Sequence, residues 1–201
     1  MFQFDISNDP PTAVELKQIH ADLKHKRHQQ IKLSCLSDLA HTAVFLALYF
    51  FDLLSGFGTL TAIVLGTLCA LLLATTMPDE LGPAQRSTVA LVALGNSIAV
   101  GSILFWMMRQ PLSGSIAAAV TCASIVFLGA TLGRRIKQVM LALENLKPLT
   151  DDDQAQHELI GLCRSFPQLA QYREQAGRLL RPNLTYGELA AMRQWVRDNG
   201  R

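Results

Sequence analysis

Four apolar runs fill residues 33–132 almost without interruption, and they restrict this chain more than any other feature. They cover 33–54, 58–76, 89–107 and 112–132, each close to the ~20 residues that a helix needs to cross a hydrocarbon core. A Gly-rich corner, a loop flanked by prolines and a second short corner separate them. The whole chain carries 18 Lys and Arg and 16 Asp and Glu, yet only Asp38, Asp52, Asp79, Glu80, Arg86 and Arg109 fall inside this block. The expected fold is therefore an all-α integral membrane protein. Its four transmembrane helices should form two antiparallel hairpins, because the corners Ser55–Gly58 and Arg109–Pro111 are too short for anything else. Residues 1–32 make an amphipathic N-terminal arm, 33–132 the transmembrane domain, and 133–201 a small helical bundle.

Basic residues near the helix ends set the orientation. Lys17, Lys24, Lys26, Arg27, Lys32, Arg86, Arg134, Arg135 and Lys137 lie on one side; only Arg109 lies on the other. Both termini are expected in the cytoplasm of a bacterial-type inner membrane. Tyr49, Phe50, Phe51 and Trp106 fall near the outer ends, where interfacial aromatics concentrate. The first run follows a polar segment of 32 residues and no small-residue cleavage site, so it is expected to stay as a span. Cys35, Cys69, Cys122 and Cys163 fall inside spans or on the cytoplasmic side, match no zinc spacing, and read as reduced thiols.

In the arm, Thr12-Ala13-Val14-Glu15 reads as a capping box. The helix it opens either runs into the first span or lies on the inner leaflet, an anionic surface that suits its basic face, and bends near Ser34. In the tail, Ile136, Val139, Met140, Leu143 and Leu146 extend the fourth helix until Pro148. Thr150 before three aspartates, Ser165-Phe166-Pro167-Gln168 and Thr185-Tyr186-Gly187-Glu188 each signal a helix start. Apolar positions from Leu159 to Val196, Leu179 and Leu180 among them, should knit these helices together. Some fifty residues bury too little surface to stand alone, so the bundle is expected to lean on the spans or on a partner.

The chemistry-bearing residues are sparse. Asp38 and His41 share a helix face and could form a proton relay if they met a water-filled cavity; the simpler reading is that both are polar groups within two turns of the cytoplasmic surface, where they cost little. Asn96, followed by Ser97, is the deepest amide and should hydrogen-bond another helix. Ala93, Ser97 and Gly101, then Ser115, Ala119 and Ala123, then Gly129 and Gly133, form stripes that allow close helix packing or self-association. His20, His25 and His28 lack the Cys or Glu that would complete a metal set. Seven acids offset the arginines of the tail, and the net charge is only +2, which argues against nucleic acid. Arg193 with Tyr172, Tyr186 and Trp195 is instead the composition that protein interfaces favour.

No phosphate loop, zinc-protease motif or nucleophile motif occurs, and no cofactor or metal is expected. The functional expectation is a non-enzymatic protein that binds another membrane complex, or itself, through its helix faces and tail. At fold level it is similar to small shielding proteins of immunity or entry-exclusion type, an analogy of architecture alone. The alternative is a small homo-oligomeric channel or proton-coupled transporter lined by Asn96, Asp38 and His41.

Overall fold

The computed structural model describes residues 4–76, 83–150 and 152–199, with backbone alone for 83–86. Asp79, Glu80, Asp151 and Arg201 lie outside the described residues, as does the side chain of Arg86. Helix accounts for 83 % of the described residues, and no strand occurs among them, so the all-α expectation holds. The helices are α1 (Ala13–Phe50), α2 (Gly56–Thr76), α3 (Pro83–Ser102), a π-helical turn (Ile103–Met107), α4 (Leu112–Asn145), α5 (Asp153–Ser165), α6 (Pro167–Arg178) and α7 (Tyr186–Asn199). Four stretches are long and apolar enough to cross a membrane: Ala13–Phe50, Gly56–Thr76, Ser87–Met107 and Leu112–Asn145.

The helix α1 is unbroken through Ser34. Its 38 residues contain neither Gly nor Pro, so nothing removes a backbone hydrogen bond or adds the freedom that makes a bend. The capping box opens it as expected. Thr12 Oγ1 accepts from the Glu15 backbone N–H at 3.2 Å, and Glu15 Oε2 accepts from the Thr12 N–H at 2.7 Å. At its other end Leu53 N donates to Leu48 O and Asp52 N to Tyr49 O, with Asp52 at φ 53°. That is a Schellman ending with an aspartate in the left-handed position where glycine is usual.

The chain divides into two compact units, residues 29–138 and residues 1–28 with 139–201. In the first, size is inverted relative to a water-soluble core. The buried positions are mostly small or β-branched, among them Ala62, Ala93, Val100, Ala118 and Val126, whereas Leu60, Leu71, Leu91, Ile98 and Ile116 are exposed. No more than 33 % of the most apolar window of any span is buried within the chain. So much outward apolar surface suits hydrocarbon and would be untenable in water, while small residues inside let helix backbones approach. The chain thus has the character of a multi-pass helical membrane protein.

The close approaches are specific. Cys122 Sγ donates to Ala62 O at 3.2 Å, and a Cβ on Gly66 would lie 3.4 Å from Cys122 Sγ. A Cβ on Gly129 would meet Ala70 Cβ at 2.9 Å, and one on Gly133 would meet Ala74 Cβ at 3.3 Å. The contacts climb together along α2 and α4, so these helices run parallel through a seam of small residues. On α3, a Cβ on Gly101 would lie only 3.2 Å from Ala119 Cβ of α4. The expected Gly129 and Gly133 stripe is therefore occupied by α2, within the chain.

The second unit closes around Leu149, Leu159, Leu169, Tyr172, Leu184 and Met192, with Ile6 of the arm packed against them. Phe4 also belongs here, its ring lying 2.6 Å from where a Gly187 Cβ would stand. A short antiparallel bridge joins Pro148 to Thr185, through Leu149 N to Leu184 O and Tyr186 N to Lys147 O.

Two expected helix starts shift. The cap of α5 is Asp152, whose side chain accepts from Ala155 N, not Thr150. Ser165 belongs to the last turn of α5, its hydroxyl donating to Gly161 O, and α6 starts after an extended Phe166 that gives no side-chain cap. Leu180 does not join the core. It is 88 % exposed and sits at φ 58°.

Candidate functional site

The unit of residues 29–138 carries a cleft of about 930 Å3 between α1 and α4. Its walls include Leu36, Ala40, Phe127 and Leu128, and one end carries Arg134, Arg135 and Gln138. His41 lines it farther along. His41 Nε2 lies 3.0 Å from Ser124 Oγ, and Nδ1 lies 3.5 Å from Ser37 Oγ. The expected relay partner differs: His41 takes two serine hydroxyls, while Asp38 is exposed and its carbonyl accepts from Thr42 Oγ1. An i, i+3 spacing brings Asp38 near, but Ser37 is one full turn below His41 and Ser124 reaches it from α4.

Asn96 does not form the interhelical hydrogen bond expected of it. Its Nδ2 is buried without a partner, as is Ser115 Oγ. Ala93 is buried, with Ser97 and Gly101 half-buried on the same helix, so this stripe packs inward. A polar contact that the sequence did not signal lies at the two short corners. The Gln110 side chain accepts from Ser55 N at 2.7 Å and donates to Ser55 Oγ at 3.0 Å, and Ser55 Oγ in turn caps Gly58 N of α2.

In the second unit the four expected docking residues mostly face the unit itself. Tyr172 is 3 % exposed, and its hydroxyl donates to Glu188 Oε1 at 3.1 Å. It cannot serve as a docking residue, because aromatic bulk at that position fills the core. Burial, then the Glu188 charge, pushes its phenol well above the ordinary value. Arg193 forks onto Glu158 at 2.6 and 2.5 Å. That hydrogen-bonded pair holds the Glu158 carboxyl below its usual range and raises the guanidinium. Tyr186 donates to Asp152 at 3.0 Å, and Trp195 stands edge-on to Phe166 at 5.9 Å. These contacts tie α7 to α5 and to the start of α6.

The most buried polar cluster was only half legible. Thr185 and Glu188 form the expected capping box, Glu188 Oε2 accepting from Thr185 N at 2.8 Å. The same carboxylate also receives Arg181 Nη2 at 2.7 Å, and Arg181 Nη1 donates to Pro11 O at 2.6 Å. The Schellman ending of α6, with Arg181 N on Ala176 O and Leu180 N on Gly177 O, turns Arg181 inward. One buried ion pair thereby fastens the arm to the tail.

Outside that cluster a groove of about 790 Å3 runs between the arm and α6. Pro10, Pro11, Ile19 and Leu179 supply its apolar surface; Asp9, Glu15 and Asp22 supply acid. Arg178 is its one cation and is already paired with Glu174 at 2.7 Å. Among the described residues, no group of three or more His, Cys, Asp or Glu could hold a metal ion. No family model matches the chain, and neither a curated protein nor a solved structure is detectably similar to it.

Proposed function

We propose that this chain is a non-enzymatic, multi-pass protein of a bacterial-type inner membrane that acts by engaging another membrane complex from the cytoplasmic side. In this reading α1 to α4 cross the bilayer as two antiparallel hairpins, and both termini are cytoplasmic. The nine-to-one bias of basic residues supports that orientation. The observation that carries the interaction is the groove between the arm and α6. Its lining combines apolar Pro10, Pro11, Ile19 and Leu179 with acidic Asp9, Glu15 and Asp22, and it belongs to a unit with its own core and buried ion pair. A partner segment that is basic and apolar fits it by charge and by surface.

The test is photo-crosslinking from Ile19 in the full chain, kept in its own membrane, followed by extraction into nanodiscs and native mass measurement. The expected result is one foreign membrane protein crosslinked in stoichiometric amount, and its loss when Asp22 and Glu15 are both made Lys. A pure homo-oligomer with no foreign chain would overturn this reading in favour of a channel or transporter.

A further inference from the structure

The cleft between α1 and α4 has a chemical gradient along its length. At one end stand Arg134, Arg135 and Gln138; beyond them Leu128, Phe127 and Leu36 give apolar walls. Thr131 lies among these walls, yet its hydroxyl is satisfied by Phe127 O and Leu128 O of its own helix, so it leaves the wall apolar in effect. Past that stretch, the His41 ring hydrogen-bonds both the Ser37 and the Ser124 hydroxyls. No carboxylate lines the cleft among the described residues.

The dimensions are those of one leaflet. From Ser124 to Arg134 is ten residues of continuous α4, about 15 Å at the helical rise, or half of a hydrocarbon core of about 30 Å. A water-soluble ligand would find too few polar groups over that distance, and a purely apolar one would offer nothing to the exposed Arg135 guanidinium. An amphiphile with an anionic head answers both.

We infer that this cleft holds an anionic phospholipid of the cytoplasmic leaflet, its phosphate at Arg135 and one acyl chain along Leu36, Phe127 and Leu128. Arg135 is the exposed member of the arginine pair, whereas Arg134 is 4 % exposed, so Arg135 meets the headgroup. The bidentate fork of a guanidinium matches phosphate. The inference rests on the membrane reading above, but not on the groove or its partner.

The experiment is native mass spectrometry of the full chain released from nanodiscs of equal parts phosphatidylglycerol and phosphatidylcholine. The expected result is one retained lipid with a clear preference for phosphatidylglycerol. Arg135→Gln should lower that preference about fivefold, the effect of one basic residue near an anionic headgroup. Leu128→Trp should expel the lipid by filling the cleft. Arg109→Gln, at the other end of the spans, should leave retention unchanged. Equal retention of both lipids, or a preference that survives Arg135→Gln, overturns the inference. So does an equal loss with Arg109→Gln, which would mark a general charge effect. Carbonate extraction separates the two levels: a chain released from the membrane by carbonate defeats the membrane reading, whereas a chain that stays but shows no preference defeats only the lipid site.

Discussion

Arg181 and Glu188 lie seven residues apart and meet at 2.7 Å, with side chains 4 % and 0 % exposed. Removing one partner of such a pair leaves a charge buried without compensation. Arg181→Met should destabilise the arm-and-tail unit by about 3–5 kcal/mol. Changing Glu188 to Met as well should recover much of that loss, because no charge is then stranded. Denaturant titration followed by Trp195 fluorescence in a Trp106→Phe background reads this unit. If the double variant is no more stable than the single one, the stranded charge is not the cause.

Leu180 is held at φ 58° while its side chain is 88 % exposed. A left-handed residue with a Cβ is strained by roughly 1–2 kcal/mol, and little burial offsets it. Leu180→Gly should therefore stabilise the same unit by about 1 kcal/mol, and the same fluorescence titration reads it. A fall in stability would mean that the leucine is covered by another molecule in use.

The pH dependence should be two-sided. The Asp152 carboxyl is depressed by the Ala155 amide and the Tyr186 hydroxyl, Glu158 by Arg193, and Glu15 by the Thr12 amide. Their contribution is present above the ordinary carboxylate values of about 4 and fades as pH falls through their lower folded values. Tyr172 is raised, so its contribution is complete below about pH 10 and is lost as pH rises beyond it. Tyr172→Phe should flatten the alkaline limb in a pH series of the titration. An unchanged limb would assign it to other groups.

Gly114 of α4 stands against Leu53, and a Cβ there would run into the Leu53 carbonyl. Backbone gives way less easily than a side chain, so Gly114→Ala should cost about 1–3 kcal/mol. Thermal unfolding in nanodiscs, followed by helical circular dichroism, measures it. Gly95→Ala, where a Cβ meets nothing within 4 Å, is the control and should be neutral or slightly stabilising.

The unpaired Nδ2 of Asn96 also has a consequence. A buried donor without a partner is costly, so Asn96→Leu should raise the unfolding temperature in nanodiscs, by about 1 kcal/mol in stability. Under the channel reading the same variant would abolish ion flux in proteoliposomes. An expressed, stable variant that loses flux would favour that reading over docking.

Local patterns were legible where the chain supplies both partners within one turn. Thr12 with Glu15, and Thr185 with Glu188, needed only a three-residue spacing, and the spans needed only length and apolarity. Ser165 misled because proline, not serine, set the boundary. Pro167 forces Phe166 to be extended, so α5 runs to Ser165 and α6 begins directly after the break. The contacts that carry most specificity join distant segments. Gln110 to Ser55, His41 to Ser124 and Arg181 to Pro11 have no spacing to betray them. Leu180 hid the turn that aims Arg181, because the left-handed position is usually marked by glycine.

The bond from Arg181 to the Pro11 carbonyl spans 170 residues, and this imposes an order of events during synthesis. At common ribosomal rates, roughly 10–30 s separate the two residues. Throughout that interval the Pro11 carbonyl has no Arg181 to accept from, and every apolar run between them leaves the ribosome first. The arm, made before every one of these runs, thus reaches its final contacts only after Arg181 has emerged.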